Sequence, residues 1–235
     1  MKTNPRSTNL DPRHKPNYGI AEAAQYLSLP VATLRSWVVG RHYPVSGHKK
    51  FFPPILEIAD RKGGLLSFIN VVEAHVLSAI RREHGIQLSK VRKAIDYCKR
   101  EFDSENPLAN QRLETDGLNL FVQKYGDLVN ISREGQLAIR VLIETYLQRI
   151  RRDPTGVPIK LYPFTRRGRA DEPSKVVMDP TISFGRPTLV DTNIPTSILA
   201  ERFKAGDSSE ELAEDYGRQK AEIEEALRYE IKVAA

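Results

Sequence analysis

Apolar positions recur at helical spacing in several stretches of this 235-residue chain, and turn-rich segments separate them. Ile20, Ala23, Ala24 and Leu27 fall at i, i+3, i+4 and i+7, which is one face of a helix. Ser28-Leu29-Pro30 breaks the pattern, and Pro30 suits entry to a new helix, where its missing N–H costs little. Val31, Leu34, Trp37 and Val38 form the expected buried stripe of that second helix. Ala32, Thr33, Arg35, Ser36 and Val39 are left on other faces, and Gly40 is a C-terminal stop. Residues 41–54 read as a hairpin-like wing. Ser46-Gly47 is its turn signal, and the run His48-Lys49-Lys50-Phe51-Phe52 leads to Pro53-Pro54.

Further along, Asn70 is expected to cap a helix from Val71 to about Glu83, with Gly85 ending it. A second helix running to about Phe102 carries Leu88, Val91, Ile95 and Cys98 or Phe102 on one side. In the middle, Arg112 to Thr115 and Leu118 to Gln123 are expected to pair as strands around Asp116-Gly117, a hairpin dipeptide, with Leu128 to Ile131 as a third strand. Gln136 to Arg149 has helical spacing, and Val157 to Phe164 alternates as a strand. From Lys175 on, short extended pieces (Val176 to Met178, Ile182 to Val190) precede three helices. Thr196 is expected to cap the first and Gly206 to end it. Ser208 with Glu211 forms a capping box for the second, and the third runs from about Gln219 to Val233. The fold class expected is mainly α with small β elements, that is α+β. Its parts are a disordered basic arm over 1–17, a helix-turn-helix with a wing over 18–102, a mixed α/β segment and linker over 103–173, and a helical module over 174–235.

Charge changes the picture. The chain has 36 Lys and Arg against 30 Asp and Glu, a net of +6. Residues 1–102 hold 17 basic against 8 acidic side chains, whereas residues 171–235 hold 8 against 14. A basic end facing a polyanion and an acidic end avoiding it is the simplest reading. Thr33, Arg35 and Ser36, exposed by phase on the second helix, can bond bases or phosphates. Arg41, His42, His48, Lys49 and Lys50 lie where a wing grips the flanking backbone. Trp37 shares the Leu34 face and belongs to the core.

Other chemistry is sparse. Cys98 is the only cysteine, so no internal disulfide or Cys-x-x-Cys pair exists. His14, His42, His48, His75 and His84 lack zinc-ligand spacing, and no Gly-x-x-x-x-Gly-Lys loop is present. No catalytic residue, metal or cofactor is therefore expected. No run of about 18 apolar residues offers a membrane span. The polar N-terminus has no apolar signal-peptide core, which points to the cytoplasm.

Two stretches resemble known families. Ile20-Ala21-Glu22-Ala23-Ala24, Thr33-Leu34-Arg35-Ser36-Trp37 and the basic wing resemble the winged-helix domain of MerR-like regulators, over residues 18–102. The chain departs from that pattern in the segment Ile55 to Gly64 and in lacking a long dimerising helix, so no metal- or drug-sensing role is expected. Gly185, Pro187, Thr192, Ile194, Pro195, Ala205, Gly206, Ser208 and Tyr216, continued by Ile223, Ala226 and Tyr229, resemble a small module of VapB-type antitoxins. Asp191 and Asn193 replace the usual Gly and Arg around Thr192. This module resembles a homeodomain-like three-helix fold. Its third helix carries Glu222, Glu224, Glu225 and Glu230, which phosphate would repel, so it is expected to meet protein.

The resemblance implies an antitoxin that represses its own operon and holds a PIN-like ribonuclease toxin whose cleft binds magnesium through carboxylates. Arg151, Arg152, Arg166, Arg167 and Arg169, with Arg149 beside them, are candidates to enter that cleft, because guanidinium pairs bidentately with carboxylate. The expected partners are operator DNA, the toxin, and a second copy of the chain in a homodimer, without membrane. The alternative is a MerR-like transcription regulator with no toxin, its C-terminal part serving dimerisation or ligand sensing.

Overall fold

A computed structural model describes residues 11–45, 48–82, 88–130, 132–165 and 175–231. It begins with a single 3-10 turn, Pro12–His14. Arg13 ties that turn down, pairing with Asp11 at 2.6 Å and with Asp153 at 2.5 Å. The last part of the expected disordered arm is therefore docked, and residues 1–10 lie outside the described residues.

The strand β1 (Tyr18–Gly19) leads into α1 (Ile20–Tyr26), and α2 (Val31–Val38) follows the expected break. Ser28 turns the chain with a φ of 52°. Leu34 and Trp37 are fully buried, but Val31, in the first turn of α2, is 41% exposed, contrary to the expected stripe. Gly40 has a φ of 86°, and a Cβ there would lie 2.5 Å from the Phe52 carbonyl oxygen. Only glycine lets the chain leave α2 and enter the hairpin at that point. The hairpin pairs β2 (Arg41–Val45) with β3 (His48–Phe52), Arg41 opposite Phe52 and Val45 opposite His48. The expected turn, Ser46-Gly47, lies outside the described residues.

The segment after the wing is structural. Ile55 and Leu56 amides both reach the Trp37 carbonyl, Leu56 is buried, and β4 (Leu65–Leu66) returns to pair antiparallel with β1. It closes the sheet at the base of the helix-turn-helix.

Helix α3 (Phe68–Arg82) starts earlier than expected, and its cap is Ser67 rather than Asn70. The Ser67 hydroxyl accepts the Asn70 amide, and the Asn70 side chain accepts the amides of Ser67 and Ala59. This is a reciprocal capping arrangement. Val71, Val72, Ala74, Val76, Leu77 and Ala79 are all fully buried, so α3 is the central rod of the core. Helix α4 (Leu88–Phe102) forms as expected.

The middle differs from its expectation. Instead of paired strands there is a 3-10 turn (Gln111–Glu114) and a long helix α5 (Asp116–Val129). Leu118, Phe121, Val122 and Tyr125 are its buried face, at i, i+3, i+4 and i+7. Asp116 sits in the first turn, where an acid complements the helix dipole. Leu128 and Val129 end α5 instead of forming a third strand. Helix α6 (Arg133–Leu147), capped by Ser132, packs on α3, while α5 packs on α4. The hairpin β5 (Ile150–Arg152) with β6 (Pro158–Leu161) follows. One continuous apolar core runs from Tyr18 to Met178, taking in α1 to α6.

The last segment pairs β7 (Val176–Val177) with β8 (Thr188–Leu189) and then forms α7 (Thr196–Ala205), α8 (Ser209–Tyr216) and α9 (Lys220–Ile231). Ser208 and Glu211 make the expected capping box. Pro195, not Thr196, precedes α7. Thr196 is buried inside, its hydroxyl donating to Glu230 at 2.5 Å. A smaller core joins Leu189, Leu199, Leu212, Ile223 and Leu227. Among the described residues no helix is long and apolar enough to cross a membrane.

Candidate nucleic-acid interface

The helix-turn-helix presents α2 to solvent on one side. Arg35 and Ala32 are exposed, Thr33 is half-buried, and Val39 is 43% exposed. Ser36 is a correction to the sequence reading. It is only 8% exposed, and its hydroxyl donates to the Thr33 carbonyl at 2.7 Å, the usual back-bond of a serine within a helix. It contributes to the helix rather than to a ligand.

The hairpin is exposed along most of its length. Arg41, His42, His48, Lys49 and Lys50 all face water. Residues directly opposite in an antiparallel ladder share a face. The register therefore divides the basic groups. His42 and Lys49 stand with Phe51 and Pro44, while Arg41, Lys50 and His48 stand with Tyr43 and Phe52. The His42 and Phe51 rings are 4.9 Å apart. At its root the hairpin is anchored by Arg92, whose guanidinium lies 4.6 Å from the centre of the Phe52 ring and donates to the Pro54 carbonyl at 2.7 Å. Among the described residues Arg35, Arg41, Lys49 and Lys50 make no ion pair.

The arginines assigned to a toxin separate. Arg151 is exposed on β5. Arg152 is turned inward with a side chain only 7% exposed. It pairs with Glu114 at 2.6 Å and donates to the carbonyls of Ala109 and Gly156. It staples the β5–β6 hairpin to the turn before α5 and is not available to a partner. Arg149 is buried, its guanidinium 4.6 Å from the Phe164 ring centre. Arg166, Arg167 and Arg169 lie outside the described residues.

Sequence reasoning missed where the last module docks. The Tyr229 hydroxyl of α9 donates to the Tyr26 carbonyl of α1 at 2.8 Å. Ser183, Phe184 and Gly185 form a left-handed hook beside the chain start. The Asn17 amide donates to the Phe184 carbonyl at 2.5 Å, and the Tyr18 hydroxyl donates to the Gly185 carbonyl at 3.2 Å. Burial pushes both the Tyr26 and Tyr229 hydroxyls well above the usual phenol range. The acids of α9 are not a free acidic face. Glu225, 2% exposed, accepts from the Thr165 hydroxyl and pairs with Arg228, and Glu222 pairs with Arg218 at 3.0 Å.

A two-helix head with an uncovered second helix and a basic hairpin defines the helix-turn-helix class. Residues 16–95 match the family described as "Putative DNA-binding HTH domain", and residues 176–229 match DUF433, a family described as of unknown function. The whole chain is also similar to "Putative antitoxin VapB45" of Mycobacterium tuberculosis (strain ATCC 25618 / H37Rv), 30% identical over 230 residues that cover 90% of this chain and 92% of that one. It is 26% identical over 228 residues to "Uncharacterized protein Rv2308" of the same organism, covering 90% and 89% of the two chains. The crystal structure of Rv2018 from Mycobacterium tuberculosis shares the fold, with a TM-score of 0.66 at 24% identity over 91% of this chain and 98% of that one. The chain belongs to the family of VapB-type antitoxins that includes VapB45.

Proposed function

We propose that this chain is the antitoxin of a type II toxin-antitoxin pair, binding operator DNA as a homodimer to repress its own operon and neutralising a PIN-like ribonuclease. The observation that carries the DNA half is the pairing of an uncovered α2 with a projecting hairpin whose cations have no acidic partner among the described residues. Phosphate contacts supply most non-specific affinity, and a helix fits the major groove where base edges differ. Two heads on a symmetric site multiply affinity. The triple variant Arg35→Ala, Lys49→Ala, Lys50→Ala, titrated in a gel shift against the DNA upstream of the chain's own coding sequence, should bind at least tenfold more weakly and with a shallower salt dependence. Undiminished affinity would sink the assignment.

For the toxin half, Arg151 on the exposed edge of β5 and Arg166, Arg167 and Arg169 are the residues proposed to reach a carboxylate-lined metal cleft. The family membership supports this reading. Co-expression with a PIN-like ribonuclease, where one is encoded beside this chain, tests the point. Replacing Arg166, Arg167 and Arg169 by Ala should relieve inhibition, and unchanged inhibition with unchanged complex formation would remove those residues from the mechanism.

A further inference from the structure

The outward stripe of α2 has an unusual composition for a surface helix. At about 100° per residue, Val31, Ala32, Arg35 and Val39 share one side, with Arg35 near its middle. The outer face of a surface helix is normally charged or polar. Here Arg35 is the one charge, and valines one turn before and after it are 41% and 43% exposed. Leu34 and Trp37 are wholly buried on the other side, so the helix cannot roll to cover them. The cations able to neutralise phosphate stand instead on the hairpin that begins three residues after α2.

Those features match the edge of particular base pairs. Guanine presents O6 and N7 side by side, a fit for the guanidinium fork, and thymine projects a methyl group into the same groove. Four residues of helix advance about 6 Å, close to two base steps of about 3.4 Å. We infer that α2 reads a half-site with one guanine bound by Arg35 and thymines within about two steps of it, their methyl groups packed on Val31 and Val39. This deepens the proposed DNA reading and rests on it. The hairpin then sets affinity, and α2 sets sequence.

The test is selection from a pool of random duplexes with the full-length chain at roughly physiological salt, followed by titration of the winning site. The wild-type chain should enrich an invariant guanine flanked by thymine. Arg35→Ala should retain non-specific binding but lose the preference at that base, a change of about ten- to hundredfold in discrimination. Replacing the flanking thymines by deoxyuridine removes only the methyl groups and should weaken the wild type several-fold, about fourfold for each buried methyl, while Val39→Ser should be weakened only by loss of the methyl packed on Val31. Arg35 and Val39 are exposed, so both variants should fold, which circular dichroism checks. A selected site without invariant guanine, an Arg35→Ala variant that enriches the same site, or indifference to deoxyuridine would overturn the inference while leaving DNA binding intact. Absence of any DNA binding, with α2 variants instead disrupting association with the ribonuclease or a second copy, would overturn the reading beneath it.

Discussion

Helices α2 and α9 end two small helical units of one chain and follow opposite plans. Helix α2 turns its apolar side in and still leaves two valines and an arginine uncovered. Helix α9 turns acids inward. Glu225 is held by Thr165 and Arg228, Glu230 by Thr196, and Tyr229 bonds to Tyr26 on α1. The summed charge of a segment thus says little about its surface. Part of the acidic tail is engaged within its own chain, through Tyr229 on the Tyr26 carbonyl of α1. The module braces the head through that bond and through the Ser183–Gly185 hook against Tyr18.

The brace should be broken most severely at Gly185. Its φ is 76°, and a Cβ there would lie 1.9 Å from the Tyr18 hydroxyl oxygen, on a ring that is 1% exposed and has nowhere to go. Gly185→Ala combines backbone strain with that overlap and should cost about 3 kcal/mol or more. For a chain of this size that lowers Tm by roughly 6–12 °C. Amide hydrogen exchange should quicken in α9 before it quickens in α3. A Tm within about 2 °C of wild type would mean that the module does not brace the head.

A second comparison concerns buried acids. Glu73 on α3 is 2% exposed, with the Asn106 amide donating to it at 2.7 Å, and burial pushes its carboxyl up to about 7. The folded value lies above the ordinary one, so the stabilisation from binding this proton is complete below about pH 4.5 and is lost as pH rises through 7. Glu73→Gln keeps the shape without the charge. Above pH 8 it should be more stable than wild type by about 3 kcal/mol, and near pH 4.5 the two should converge. Urea unfolding across that range decides it. Parallel curves would place the titration elsewhere, with Glu230, also raised by burial, the next to replace.

Both ends of the fold were legible because their signals are local. Pro30 and Gly40 bracket α2, Ser208 with Glu211 caps α8, and the apolar spacing of α1 and α9 needs no distant partner. The middle was not legible because Asp116-Gly117 is equally good chemistry for a hairpin and for a helix start. Only burial of Leu118, Phe121, Val122 and Tyr125 on one side decides between them. The exposure of Arg35 and of the hairpin cations could be read from the local pattern. Ser36 could not, since it sits at the edge of the buried arc. Arg152 could not either, because its partners Ala109 and Glu114 come from 43 and 38 residues away. The seat of Glu225 is a threonine 60 residues earlier, beyond any local pattern.

A milder test of the brace removes one hydrogen bond. Tyr229→Phe leaves the ring and deletes the donor to Tyr26, and should cost about 1 kcal/mol, a Tm shift of roughly 2–4 °C. No shift would assign the docking of α9 to its apolar contacts alone.

The smallest expected effect on stability belongs to the hairpin, and it tells how the head meets its ligand. Lys49 and Lys50 are exposed on opposite faces of the ladder, one beside His42 and Pro44, the other beside Arg41 and Tyr43. Alanine at either should change stability by no more than about 0.5 kcal/mol. Each lysine that neutralises a phosphate contributes about 0.9 to the slope of log affinity against log salt. A hairpin lying flat on the backbone brings one face to the phosphates, so one variant should lose that increment and the other should keep the wild-type slope. A hairpin entering a groove edge-on brings both, and the two variants should lose it equally. If neither slope changes, the hairpin does not touch the duplex, and α2 would have to bind DNA with Arg35 as its single exposed cation, too few for more than a weak hold.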